Sequence, residues 1–295
     1  MTEEAAPPET AKPGLARRIV MFPVVIVIIE FAAVLALAML VSLASGAVRH
    51  ALHSGFNEAL FGLLVGIAAL AAYHACQRWV ERRPDAELAL PGAVREWGAG
   101  LLTGFVLFSA ITGIVAVMGG IEFLGVRGWG QIGPMLGMAL YSGPFEEVLF
   151  RGVLFRHIES WGGTWIALAL TSAFFGFGHL ANPNATVFAG FAIAMEAGIL
   201  LGAAYLLTRR LWLAIGIHSA WNFTQGWVYS IPVSGSKPPI GLLNTRVTGP
   251  EWMTGGPFGL EASVVALVMA TLTGVLLLVV AVKRGQIVRP RWAKR

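Results

Sequence analysis

Two adjacent glutamates, Glu146 and Glu147, and an arginine, Arg151, lie inside a long apolar stretch of the chain. An ionised group at membrane depth costs about 2.5–3.5 kcal/mol on insertion scales. Three such groups this close together need partners, water or a task. Glu147 and Arg151 are four residues apart, share one helical face and are placed to pair. Glu146 is turned by about 100° from Glu147 and faces another wall. Pro144, after Gly143, interrupts the helix just before the acids. One carboxylate held by a cation and a second left to act on water is the division a general base requires, its basicity set by the balance of desolvation and nearby charge. The structural alternative is an ion pair that only ties helices together.

Two further pairs have the same four-residue spacing. Phe175 precedes His179, with Gly176 and Gly178 between them permitting close helix approach. Alone, His179 reads equally well as an interfacial or hydrogen-bonded histidine. His218 and Asn222 also share a face, and both can donate hydrogen bonds. Two converging donors can hold the oxyanion formed when a peptide carbonyl is attacked. The alternative is interhelical hydrogen bonding, worth about 0.6 kcal/mol per bond in membranes. The single cysteine, Cys76, excludes an intramolecular disulfide and a cysteine-based metal site.

In this order the three pairs resemble the CPBP family of intramembrane proteases, which includes CAAX prenyl endopeptidases and bacteriocin-processing enzymes. That family's pattern is E-E-x-x-x-R, then F-x-x-x-H, then H-x-x-x-N or a close variant. Here it reads Glu146-Glu147-Val148-Leu149-Phe150-Arg151, then Phe175 to His179, then His218 to Asn222. Each motif is weak alone, and the ordered set on separate spans is specific. The resemblance covers residues 130–230 and implies a glutamate-dependent, metal-independent peptidase without a cofactor. It implies that Glu146 and His179 activate a water, that His218 and Asn222 steady the oxyanion, that Glu147 and Arg151 orient the Glu146 carboxylate, and that Phe175 is a supporting residue. The implied partner is a peptide or protein substrate reached from the membrane. Other readings stay open. One is a zinc peptidase using His179, His218 and a glutamate, although H-E-x-x-H is absent. A second is a non-catalytic scaffold or regulator. A third is a transporter, though no repeated half-structure appears.

The elements that must carry these residues are membrane helices. The chain is 56% hydrophobic and 13% charged, against about 25% charged in soluble domains. The expected fold is an all-α polytopic bundle of about eight transmembrane helices, near residues 19–43, 59–78, 97–119, 132–155, 164–180, 186–208, 211–228 and 260–282. The expected organisation is a disordered cytoplasmic tail (1–18), N-terminal transmembrane helices (19–130), a catalytic helical core (131–229), an outer loop (230–259) and a last helix with a basic tail (260–295). The outer loop is rich in Pro and Gly and is placed to shield an entrance. The first apolar run exceeds the 7–15 residues of a signal-peptide core, so it reads as a retained span.

With both termini cytoplasmic, sixteen lysines and arginines fall on the inner side and four on the outer, in accord with the positive-inside rule. The net charge of +5 follows that asymmetry and gives no argument for nucleic acid. The compact chain suits a bacterial inner membrane. Glu30 and Glu196 lie in spans without a sequence-local partner, and neither is placed in the site. His74, Trp161, Trp212, Trp227 and Trp252 suit the membrane interface.

These bounds create a conflict. Straight helices put Glu146 about 15 Å, His218 about 11 Å and His179 about 25 Å from the inner face. The residues meet only if a helix is kinked or displaced, or if an inner boundary lies elsewhere.

Overall fold

The computed structural model describes residues 14–52 and 55–294. Among these, six runs are long and apolar enough to cross a bilayer, and the protein is an integral membrane helical bundle. The expectation of an unstructured Met1–Arg18 lies outside the described residues up to position 13. Leu15–Val20 is a short helix, α1. Helix α2 (Pro23–Leu52) opens on a proline, which lacks the N–H that a first helical turn leaves unbonded. Its outward face carries Leu35, Met39, Leu40 and Leu43, all exposed large apolar groups suited to lipid. The last long helix, α11 (Val264–Lys283), does the same with Leu272 and Leu276.

Between these lie α3 (Gly55–Ala75), α4 (Ala93–Val117), α5 (Ile132–Glu147), α6 (Arg156–Gly178), α7 (Val187–Ile193), α8 (Ile199–Thr208) and α9 (Trp212–Phe223). Helix α5 passes into a π-helical segment, Val148–Phe155, and then directly into α6. The resulting run, Ile132–Ala181, is 50 residues long. It is interrupted at Gly163 (φ 79°, ψ 171°), a left-handed φ that an L side chain resists. Two arms therefore meet there. Length and composition alone give six spans. The expected count is about eight: the run Ile132–Ala181 holds two of the expected segments, and Trp212–Val228 is too short to qualify.

Small residues set the spacing of the central helices, as expected where lipid removes the hydrophobic drive between spans. Gly100 of α4 faces Gly216 of α9, and Gly62 of α3 faces Gly137 of α5. Gly143 of α5 abuts α9, where an added Cβ would lie 2.2 Å from Ser219 Oγ. That hydroxyl donates to the Ala139 carbonyl at 2.8 Å, locking the crossing.

Ion pairs collect at one end of the bundle. Arg156 bonds Glu30 and Glu81, tying α2 and the end of α3 to the start of α6. Glu30 is fully buried and is also bonded by Gln77 and His157. Arg209 pairs with Glu159, and the Leu211 N–H donates to the Glu87 carbonyl. Helix α9 thus begins recessed, with Leu211 packed against Gly152.

At the opposite end, strand β1 (Ile121–Val126) pairs antiparallel with β2 (Leu243–Val247), aligning Ile121 with Val247 and Phe123 with Thr245. This small ladder departs from the purely helical expectation. It anchors the connection after α9, whose residues 232–259 include the short helix α10 (Glu251–Thr254). Trp227 differs from its expected interfacial place. It is buried, stacks on Trp129 at 5.7 Å, and donates to the Trp129 carbonyl at 2.9 Å. Trp161 and Trp252 are exposed.

Gly143→Val should force α5 and α9 apart and cost about 1–3 kcal/mol. Thermal unfolding in detergent, beside Gly98→Val at an open surface position, measures it. Equal stability of the two variants would mean that the crossing is not set by this contact.

Candidate active site

The last residue of α5 starts the site. Glu147 and Arg151 are both fully buried, and Arg151 Nη1 donates to Glu147 Oε1 at 2.9 Å. The other end of the guanidinium, Nη2, donates to the carbonyls of Ala197 at 3.2 Å and Gly198 at 3.3 Å. These carbonyls belong to the end of a second π-helical turn, Ala194–Gly198. A π turn disturbs the regular i→i+4 ladder and frees backbone acceptors. The Arg151 guanidinium carbon also sits 4.8 Å from the centre of the Phe175 ring, a cation–π contact.

Glu147 Oε1 takes a second donor, His218 Nδ1, at 2.9 Å. An ionised carboxylate only accepts, so Nδ1 carries the proton. Nε2 then faces the other acid, 3.9 Å from Glu146 Oε2. The carboxylate gripped by Arg151 therefore holds His218, where the resemblance had it orient Glu146. Asn222, one turn on, donates from Nδ2 to Ser142 Oγ at 3.0 Å, and an amide nitrogen has a second N–H to offer.

His179 ends α6. Its Nδ1 donates to the Phe175 carbonyl at 2.7 Å, leaving Nε2 free. The Phe175 ring separates the imidazoles, its centre 4.9 Å from that of His179 and 5.9 Å from that of His218. Phe150 packs on its edge at 5.0 Å. Phe175 thus spaces both histidines and covers Arg151.

Two cavities meet at this wall. An open one of about 570 Å³ is lined by Glu146, His179, Asn222, Ser142, Tyr141 and Ser234. A narrower one of about 40 Å³ is lined by His179, His218 and Asn222 together with Glu196 and Glu261. All four expected chemical residues therefore converge, through His179 and Asn222, which line both.

The depth conflict resolves at the end of the first arm. The first arm continues past Phe155 to the break at Gly163. Glu146 and His179 then each lie sixteen residues from the Gly162–Gly163 turn, about 24 Å along their arms. His218 joins them because α9 starts level with Gly152 rather than at the bundle's end.

Sequence reasoning missed Ser142, whose hydroxyl takes the Asn222 donor, because a serine in an apolar helix carries no distinguishing pattern. It kept Glu196 out of the site, whereas Glu196 lines the narrower cavity. Glu30 is partnered by Arg156, His157 and Gln77 at the far ionic cluster. There Glu30, Glu81 and His157 offer three possible metal-ligating atoms within 4.8 Å of one another among the described residues. Arg156 Nη2 lies against all three, already supplying a positive charge.

Residues 128–224 match the family model described as Type II CAAX prenyl endopeptidase Rce1-like. The match takes in 97 of the 295 residues, including all seven site candidates. No curated protein and no solved structure matches the chain.

Arg151→Met should destabilise the protein by about 3–5 kcal/mol, because it leaves the Glu147 carboxylate buried without its cation. Adding Glu147→Gln to the same chain should recover most of the loss. Reversible unfolding in mixed micelles tests both, and a neutral single variant would remove the pair from the stability of the core.

Proposed function

We propose, on the premise that residues 128–224 are an Rce1-like domain within an integral membrane protein, that the chain is a CAAX-type intramembrane endopeptidase whose attacking water is activated by Glu146 and His179. The observation that carries this reading is the unequal use of the two adjacent acids. Glu147 is spent on Arg151 and His218, while Glu146 faces the open cavity beside His179 and Asn222.

The steps follow from those positions. A water between Glu146 and the free Nε2 of His179 gives its proton to Glu146 as its oxygen attacks the scissile carbonyl. Negative charge develops on the carbonyl oxygen. His218 Nε2 and the second N–H of Asn222 are the donors suited to receive it. His218 donates from Nε2 only as an imidazolium, because Nδ1–H is already committed to Glu147. The Glu147 carboxylate stabilises that cation at 2.9 Å, and Arg151 fixes the carboxylate in turn. As the tetrahedral intermediate collapses, the carbon–nitrogen bond breaks and the proton on Glu146 passes to the leaving amine. Water in, acid and amine out, the balance closes without a metal or an enzyme-bound acyl group.

The substrate is a peptide or protein segment presented from the bilayer. The open cavity suits a backbone, being lined by Tyr141, Phe145 and Phe150 on one side and by Asn182 and Ser234 on the other. Charge asymmetry along the chain supports both termini on the cytoplasmic side.

Glu146→Gln should lower kcat by about 10²–10⁴-fold with unchanged unfolding temperature, in an assay of purified protein on a cleavable membrane peptide. Wild-type activity should survive excess chelator. A loss restored by zinc would favour a metallopeptidase, and wild-type turnover by Glu146→Gln would remove Glu146 from the chemistry.

A further inference from the structure

Two carboxyls beside the histidines are unused by the reaction above. Glu196 comes from the π turn between α7 and α8, is 1% exposed, and its Oε2 has no hydrogen-bond partner among the described residues. It lines the narrower cavity with His179 and His218. Glu261 reaches the same cavity from the connection just before α11, outside the family-matched segment. It is 4% exposed and accepts the backbone N–H of Ser234, with the Gln225 side chain in bonding reach. Glu261 also lies within electrostatic reach of both His179 and Glu196.

The cavity volume fits what these groups lack. A site needs about 10–15 Å³ of such volume to hold one water, with two to four polar partners. About 40 Å³ is present, and the lining supplies Glu196, Glu261, His179, His218 and Asn222. A buried carboxyl oxygen without a protein partner is where ordered water belongs. His179 has one ring nitrogen left, because Nδ1 is bonded to the Phe175 carbonyl.

We propose that this narrower cavity is a built water site whose ordered water joins Glu261 and Glu196 to the one water held on His179 Nε2, so that Glu261 orients the ring through that water and is a positioning residue. The two imidazoles are then served alike. Glu147 grips His218 directly, and Glu261 reaches His179 through water. The groups facing His179 come from several elements: Glu146 from α5, His218 and Asn222 from α9, Glu196 from the α7–α8 turn and Glu261 from the last connection. Arg151 sits behind the Phe175 ring. Glu261 alone among them also holds the covering segment, through Ser234, a residue that lines both cavities. The seating of that segment and the orientation of the imidazole are thereby coupled through one side chain.

This deepens the proteolytic reading and rests on it only for its kinetic part. The decisive measurement is the ring ¹⁵N spectrum of His179 at one pH, in histidine-labelled protein in nanodiscs, assigned by loss of its signals in His179→Gln. Glu261→Gln should move the His179 Nε2 resonance, Glu196→Gln should move it in the same sense, and Glu261→Asp should restore part of the change. In the cleavage assay Glu261→Gln should lower kcat by about ten- to hundredfold, as loss of a supporting partner does at other sites, with KM unchanged. If Glu261→Gln does not fold, the Glu196→Gln spectrum decides. An Nε2 resonance unmoved in the folded variants overturns the proposal whatever the activity does. A wild-type protein that cleaves nothing overturns proteolysis instead and leaves the ring spectrum to judge this site.

Discussion

A guanidinium with no route to solvent is the constraint around which this bundle is arranged. Arg151 is fully buried, and an unpaired charge there would cost several kcal/mol. Its neutralisation draws on three elements at once. Glu147 of α5 supplies the counter-charge, Ala197 and Gly198 of the second π turn supply carbonyls, and Phe175 of α6 supplies an aromatic face. His218 of α9 is added through the same carboxylate oxygen. The helices that bear the reacting groups are thus held by the demand of one cation. Glu146, next in sequence to the acid that meets it, is left to face the open cavity.

Irregular backbone is what permits this convergence. The segments Val148–Phe155 and Ala194–Gly198 are both π-helical; the first carries Arg151 and the second bonds it. In a regular helix the carbonyls of Ala197 and Gly198 would be more fully spent on their own ladder. Glycines complete the arrangement, letting α4, α5 and α9 approach with backbone near backbone. Polar contacts that weaken over fractions of an ångström gain from that close packing.

Much of the site was legible in the sequence because its pairs are local. Glu147 with Arg151, Phe175 with His179 and His218 with Asn222 each sit one helical turn apart, and a turn is visible without knowing the fold. Depth was not legible. Hydropathy ended the first arm near Phe155, at Arg156 and His157, yet those residues are helical and are neutralised by Glu30 and Glu81 from distant helices. A charge that finds a remote partner does not mark a membrane boundary. The recessed start of α9 was hidden in the same way, since Arg209 and Arg210 are met by Glu159, Glu96 and backbone carbonyls. Glu196 read as isolated because its companion, Glu261, is sixty-five positions later in the chain. The strand pair escaped notice because Ile121–Val126 and Leu243–Val247 are short and carry no clean alternation.

That strand pair bears on how the covering segment can change. Its register is held by main-chain bonds between β1 and β2, and by the Gly235 N–H donating to the Phe258 carbonyl. Backbone bonding is indifferent to most side-chain identities, proline excepted. The side chains of Val233 and Ser234, which look into the open cavity, ride on this frame, while the Ser236 hydroxyl helps to hold it by accepting the Val233 N–H. Substitution at Val233 or at the Ser234 side chain would thus rewrite the ceiling of the cleft, and with it what the cleft accepts, while the floor that bears the charges is left untouched.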